Sequence, residues 1–244
     1  MKCAPVRSLA LVTQMRAGTH YMCAALRVAL AATLYRPGDG DRDGHRYAQM
    51  SDDEIRKGLY GEAPIDLPPA ESERTVYFSH YYHTHHAALG PLPRIFLIGF
   101  PFDSFYSDGV VFSDSTYSAG PSGARARAAG YVFRFDSKEW RFLEPYMHQN
   151  ARWLAEIAES DTALIVRYED FFLDFDATAS RLSRFVGGFV RPLPQPLRNA
   201  KRCYWTERYD EAFDERAFAA LGEIFAPAIE RFYPERSSTL GRGR

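Results

Sequence analysis

Apolar residues along the 244-residue chain fall into two kinds of run. Short runs bounded by turn signals lie at Ser8–Thr13, Thr75–Ser79, Arg94–Gly99 and Thr162–Tyr168, and three of them are rich in the β-branched and aromatic residues that strands favour. Longer segments with apolar residues at helical spacing lie at Thr19–Leu34, Asp103–Phe112, Trp140–Ser160, Ala177–Val186 and Glu211–Phe232. Strands alternating with helices predict parallel crossovers, hence a three-layer α/β domain with a central, mainly parallel sheet flanked by helices.

Two stretches lack either period. Residues 36–73 cluster Gly, Asp and Pro at "RPGDGDRDG" and "APIDLPPAESE" and read mostly as loop. One small helix is expected to start at Ser51, since Ser51 and Glu54 have capping-box spacing, and to stop near Gly61. Residues 114–130, "DSTYSAGPSGARARAAG", carry small residues with Arg125 and Arg127 and read as a second loop. Insertions of this kind often shape a substrate site. The tail "RSSTLGRGR", residues 236–244, is expected to be disordered, which leaves a single domain over residues 1–235.

Composition narrows the chemistry. An apolar content of 46% gives a chain of this length a sizeable core. Thirty basic residues against 31 acidic ones leave a net charge of −1, so no global field favours nucleic acid or an anionic membrane, and any anion site must be local. Cys3, Cys23 and Cys203 are too few and too scattered for a disulfide framework, which fits a reducing, cytoplasmic setting. The apolar start "SLALVTQM" follows Lys2 and Arg7 in the manner of a signal peptide, but Gln14 and Arg16 interrupt it. The run "HYMCAALRVALAATLY" contains Arg27 and is too short to span a bilayer, so it reads as a buried helix.

The junction "LALVTQMRAGTHYMCAAL" is the most informative stretch. A strand that enters a helix through a short glycine-containing loop leaves the first helical N–H groups unpaired and aimed at the loop. That geometry binds anions. Arg16, with donors at Thr19 and His20, adds to the positive helix end and suits a phosphate group. The loop is not a Walker A sequence, because it lacks the leading glycine and the Gly-Lys-Ser/Thr ending, which disfavours a kinase or NTPase. A tight turn with a surface arginine is the plainer alternative.

Two later segments follow in a telling order. After "RIFLIG" comes "FPFDSFYS", and after "TALIV" comes "RYEDFF". With the first loop, they resemble the sulfotransferases that use 3′-phosphoadenosine 5′-phosphosulfate, PAPS, as donor. That family opens with a strand and a Pro-Lys/Arg-Ser-Gly-Thr-Thr-Trp loop, matched by Met15–Tyr21 in the cation, the glycine and the first threonine. Its second signature, Arg-Asn/Asp-Pro-Lys/Arg-Asp followed closely by Ser, is matched by Pro101, Asp103 and Ser107, and its Arg-Tyr-Glu-Asp segment by Arg167–Asp170. The resemblance implies a P-loop-like fold in which Arg16, Ala17, Gly18, Thr19 and His20 hold the 5′-phosphosulfate and Ser107 the 3′-phosphate. It also implies that Tyr21 and Tyr168 lie near the adenine, although Tyr21 reads equally well as a core residue. The family arginine for the 3′-phosphate is Gly99 here. Lys201 or Arg202, near the place of the family's closing loop, are the expected replacements. A sulfuryl group carries less charge than a phosphoryl group, so no metal is expected, and Arg16 is expected to stabilise the departing phosphate.

The segment "FSHYYHTHHAAL" holds His80, His83, His85 and His86. In the resembling family a histidine just beyond this strand removes the acceptor's proton, and His80 occupies the matching place. A metal-dependent hydrolase built on His83, His85 and His86 is one alternative, although the aspartate and final histidine of that motif are missing. A non-catalytic nucleotide-binding module is another. His148, on a long predicted helix, reads as a buried, satisfied histidine. The acceptor is expected to be a small molecule, and the aromatic residues Tyr81, Tyr82, Phe100, Phe102, Phe105 and Tyr106 point to an apolar or aromatic one.

Overall fold

The computed structural model describes residues 6–38, 47–57, 65–67, 69–81, 89–113, 131–196 and 209–237. It forms two compact units, Met1–Ile98 with Ala158–Arg198, and Gly99–Ile157 with Asn199–Arg244.

The first unit carries a six-stranded sheet of β1 (Ser8–Thr13), β2 (Thr33–Pro37), β3 (Tyr47–Gln49), β4 (Thr75–His80), β5 (Arg94–Ile98) and β6 (Ala163–Arg167), in the order β3-β2-β4-β1-β5-β6. Every neighbouring pair is parallel except β2 with β3. The α/β architecture with a mainly parallel sheet is therefore the one the alternation of strands and helices predicts. β1 is buried from Leu9 to Thr13, as a strand covered on both faces requires, and its register sets Thr13 opposite His80 of β4.

Helix α1 (Thr19–Leu30) has eleven of its twelve residues buried, and its one arginine, Arg27, reaches Asp52 of α2 (Asp52–Lys57) at 3.4 Å. The apolar pattern extends this helix to Leu34, but it ends four residues earlier. Ala31 adopts a left-handed φ of 49°, and the Ser72 hydroxyl donates to the carbonyls of Leu30 and Ala31 at 2.7 and 3.1 Å. The chain then enters β2, where Tyr35 stacks on Tyr77 with ring centroids 5.5 Å apart. β2 and β3 thus replace a helical turn and part of an expected loop. The capping box is present as read: Ser51 Oγ accepts the Glu54 N–H at 3.2 Å, and the Glu54 carboxylate accepts the Ser51 N–H at 2.8 Å. After β6 come α5 (Asp170–Leu173) and α6 (Phe175–Phe185), the latter capped by Asp174.

The second unit is helical: α3 (Pro101–Ser113), α4 (Lys138–Glu156), α7 (Tyr209–Ala212) and α8 (Glu215–Phe232), with a 3₁₀ turn at Pro234–Arg236. The helix expected over 211–232 breaks at Phe213, because a backbone bridge to Phe133 takes its place. The Phe133 N–H donates to the Ala212 carbonyl at 2.8 Å, and the Asp214 N–H donates to the Phe133 carbonyl at 3.2 Å. The Asp214 carboxylate then accepts the N–H of Ala217, starting α8, and that of Phe135, at 2.8 and 2.9 Å. Phe100, Phe102, Phe105 and Tyr106, expected around an acceptor, are all buried in this unit. Phe102 meets Phe213 at 5.6 Å and Phe105 meets Phe225 at 5.4 Å, so core packing accounts for these rings. Tyr81 is buried as well, and Tyr82 lies outside the described residues. Among the described residues no helix is long and apolar enough to cross a membrane.

Candidate functional site

Strand β1 ends at Thr13 and the chain turns through Gln14–Gly18 into α1. The turn is tight, with the Ala17 N–H donating to the Gln14 carbonyl at 3.4 Å, and it is built on two left-handed residues, Arg16 at φ 57° and Gly18 at φ 73°. Gly18 is the N-cap of α1 and gives it no side-chain cap, and the first intrahelical bond runs from the Met22 N–H to the Gly18 carbonyl at 3.0 Å. The amide groups before Met22 therefore make up the electropositive end of a twelve-residue helix. Arg16 and His20 are exposed beside it, whereas Ala17 and Thr19 are buried.

Glycine at position 18 answers two constraints. The left-handed backbone is one. The other is Tyr168, at the end of β6: a Cβ on Gly18 would lie 2.0 Å from Tyr168 Cε2 and 2.1 Å from Cδ2. The tyrosine is fixed in turn by its N–H on the Ile98 carbonyl at 2.8 Å and by the ring of Phe172 at 5.2 Å. Arg167 and Asp170 of the same segment form an ion pair, Nη2 to Oδ1 at 2.6 Å. The "RYED" segment is thus a buttress beneath the loop. Tyr21 belongs to the same packing: it is 1% exposed, donates its hydroxyl to the Pro194 carbonyl at 2.8 Å and meets Phe171 edge-on at 5.2 Å. Tyr168 is 6% exposed. Both rings thus carry the packing beneath the loop, and the contacts of Tyr21 are those of a core residue.

Behind the loop runs a line of three side chains. Thr19 Oγ1 donates to Thr13 Oγ1 across 3.0 Å, and Thr13 Oγ1 lies 3.0 Å from His80 Nδ1. His80, at the last position of β4, packs its ring edge-on to Phe78 at 4.9 Å. Sequence reasoning singled out Thr19 and His80 but passed over Thr13, whose hydroxyl joins them. The one signal it offered was a polar residue at the end of an otherwise apolar strand.

The structure therefore gathers Arg16, Ala17, Gly18, Thr19, His20, Tyr168 and His80 in the first unit, at the carboxyl ends of the strands, where open α/β sheets bind their ligands. Ser107 is half-buried on α3 of the second unit. Lys201 and Arg202, and His83, His85 and His86 of the hydrolase alternative, lie outside the described residues. Among the described residues no three His, Cys, Asp or Glu side chains are grouped to hold a metal ion. His148 is exposed, contrary to expectation. α4 buries Trp140, Leu143, Met147, Asn150 and Leu154, and position 148 falls off that stripe.

The crystal structure of mouse sulfotransferase SULT7A1 complexed with PAP aligns over 98% of this chain and 88% of its own, with a TM-score of 0.53 at 13% identity. The chain has a sulfotransferase fold. Within that fold Arg16–Thr19 stand on the strand-to-helix loop after the first strand, and Arg167–Asp170 at the end of the last. The sulfotransferase domain from the curacin biosynthetic pathway aligns over 78% of this chain and 77% of its own, with a TM-score of 0.40 at 13% identity. The sulfotransferase domain from the Synechococcus PCC 7002 olefin synthase aligns over 77% and 76%, with a TM-score of 0.36 at 14% identity. No protein-family profile matches the sequence, and no curated protein matches it.

Proposed function

We propose that this protein is a PAPS-dependent sulfotransferase that passes a sulfuryl group to a hydroxyl or amine of a small molecule, in the reducing setting of the cytoplasm. The observation that carries the reading is the uncapped end of α1 in a sulfotransferase fold, with Arg16 and His20 exposed beside it and His80 one hydroxyl removed from Thr19. The donor set suits a phosphate ester: helix amides, a guanidinium and a hydroxyl, with no carboxylate among the loop residues 14–20. Arg16 and the helix end stabilise the charge that grows on the departing phosphate as the S–O bond breaks. His80 takes the acceptor's proton, a role a neutral imidazole suits near pH 7. Ser107 and either Lys201 or Arg202 hold the 3′-phosphate.

A thermal shift series with adenosine 3′,5′-bisphosphate and with ATP, each with and without Mg²⁺, tests the donor. Stabilisation by the bisphosphate without metal is expected, worth about 2.7 kcal/mol at a hundredfold excess over Kd. A response to ATP with Mg²⁺ alone would overturn the reading. Gly99, in place of the family arginine, favours a second one, a nucleotide-binding module without catalysis. Bisphosphate binding without sulfuryl turnover on simple phenols or amines would select it. His80→Ala is expected to cut turnover by roughly 10²–10⁴-fold with bisphosphate binding kept.

A further inference from the structure

The line of Thr19, Thr13 and His80 determines where the protons sit. A hydroxyl has one proton to give. Thr19 gives its proton to Thr13, so the proton of Thr13 must go to the other acceptor at hand, His80 Nδ1, 3.0 Å away. Thr13 is fully buried, at 0% exposed, and Thr19 is 5% exposed, so water does not substitute for either partner. A ring nitrogen that accepts carries no proton, so neutral His80 holds its proton on Nε2. That tautomer is idle as a base. Nδ1 is engaged with Thr13, so Nε2 is the nitrogen that must receive the acceptor's proton, and it already holds one.

Taking His80 as the base of the proposed reaction, we propose that Thr13 is a positioning residue that makes the tautomer of His80 depend on an anion in the β1–α1 loop. When a phosphate oxygen in the loop accepts the Thr19 hydroxyl, Thr19 Oγ1 is free to accept. Thr13 turns its proton to Thr19, and its lone pair receives Nδ1–H. Both hydroxyls rotate and keep their protons. The half-buried ring exchanges one proton with solvent by way of the imidazolium, so that the proton held on Nε2 is given up and one is held on Nδ1 instead. Nε2 is then deprotonated and can take the acceptor's proton. The base is thus armed when the donor is in place and idle when the loop holds no phosphate.

The test is the ¹⁵N spectrum of the histidine rings in the full chain, with the His80 signals assigned by their loss in His80→Gln. Without ligand, His80 is expected as the Nε2–H tautomer. At saturating adenosine 3′,5′-bisphosphate it is expected as Nδ1–H, and one unchanged tautomer in both states overturns the proposal without any variant. Thr13→Val removes the link: bisphosphate affinity is expected to stay within about threefold, the tautomer no longer to follow the ligand, and turnover to fall by roughly 10²–10⁴-fold. Thr13→Ser restores both readouts. Thr19→Val leaves the Thr13 proton no acceptor but Nδ1 and holds His80 idle with ligand present. A Thr13→Val enzyme with wild-type turnover, or one whose tautomer still follows the bisphosphate, also overturns the relay. The two readings fail separately. If His80→Ala keeps its turnover while the tautomer switches, His80 is no base but the coupling stands. If His80→Ala is inactive and the tautomer is fixed, the base stands and the coupling falls. If the bisphosphate fails to bind, the donor reading falls, and inorganic phosphate at saturating concentration reads the relay by the same spectrum.

Discussion

Gly18→Ala strikes the loop where its shape and its support meet. The new Cβ adopts a left-handed backbone, costing about 1–2 kcal/mol. It also lands 2.0 Å from Tyr168 Cε2, 2.1 Å from Cδ2 and 2.7 Å from Cζ, which no rotation about the ring axis relieves. The ring must move as a whole, yet it is hemmed in by Phe172 at 5.2 Å and Tyr21 at 6.2 Å. Overpacking of this kind costs roughly 1–3 kcal/mol. The two together give about 2–5 kcal/mol, a large share of the 5–15 kcal/mol of a typical domain. Tyr168→Val removes all three clashing atoms while keeping an apolar side chain. In that background Gly18→Ala should cost only the backbone part, about 1–2 kcal/mol. Urea unfolding of the wild type, both single variants and the double variant closes the cycle, with an expected coupling of about 1–3 kcal/mol. A coupling under about 0.5 kcal/mol would refute the contact as the reason for glycine here.

Arg16→Gly relieves the left-handed strain at φ 57°, so unfolding stability should rise by up to about 1 kcal/mol, while calorimetry should show bisphosphate affinity falling about tenfold with the lost charge-assisted bond. Exchanging both Lys201 and Arg202 for alanine should weaken the 3′,5′-bisphosphate far more than AMP in the same titration. Equal losses would move the 3′-phosphate cation elsewhere, with Arg125 and Arg127 next. The Ser51 N–H and then Arg36 hold the Glu54 carboxyl below its ordinary value of 4.5. The stability it adds is thus full above that value and is lost as pH falls through the lower folded one, so the urea midpoints of wild type and Glu54→Gln should converge in acid. Burial pushes the Cys23 thiol up to about 12. Peptide-level mass spectrometry should therefore find it unalkylated in the native state and alkylated in urea.

What the sequence revealed divides along the line between local and distant causes. β1 runs over the residues its apolar pattern marks, and β4, β5 and β6 agree with theirs to within a residue at either end, because turn residues bound each run. The path of the loop around Arg16 was equally legible, since its left-handed residues and the start of α1 lie within a few positions of one another, whereas its support by Tyr168, 150 residues away, was not. The end of α1 was not. Its stop comes from Ser72, which satisfies the last carbonyls from a point 42 residues along the chain, and Ala31 carries no signal for a left-handed turn. The role of Thr13 was hidden for the same reason. Only the parallel register of β1 on β4 brings it to His80, 67 residues away. Tyr21 and Tyr168 carry a packing role that their sequence positions do not announce: both are buried, and Tyr168 is part of the floor the loop rests on.

The bridge between Phe133 and Phe213 fixes more than the break between α7 and α8. Phe133 bonds with both neighbours of Phe213, donating to the Ala212 carbonyl and accepting from the Asp214 N–H, and the Asp214 carboxylate spans from Phe135 to Ala217. Two segments about 80 residues apart in the chain are thereby stitched through a single residue on each side. Neither can open while the other stays closed, so the amides of Phe133, Phe135 and Asp214 belong to one cooperative opening unit and should exchange their hydrogens at a common rate.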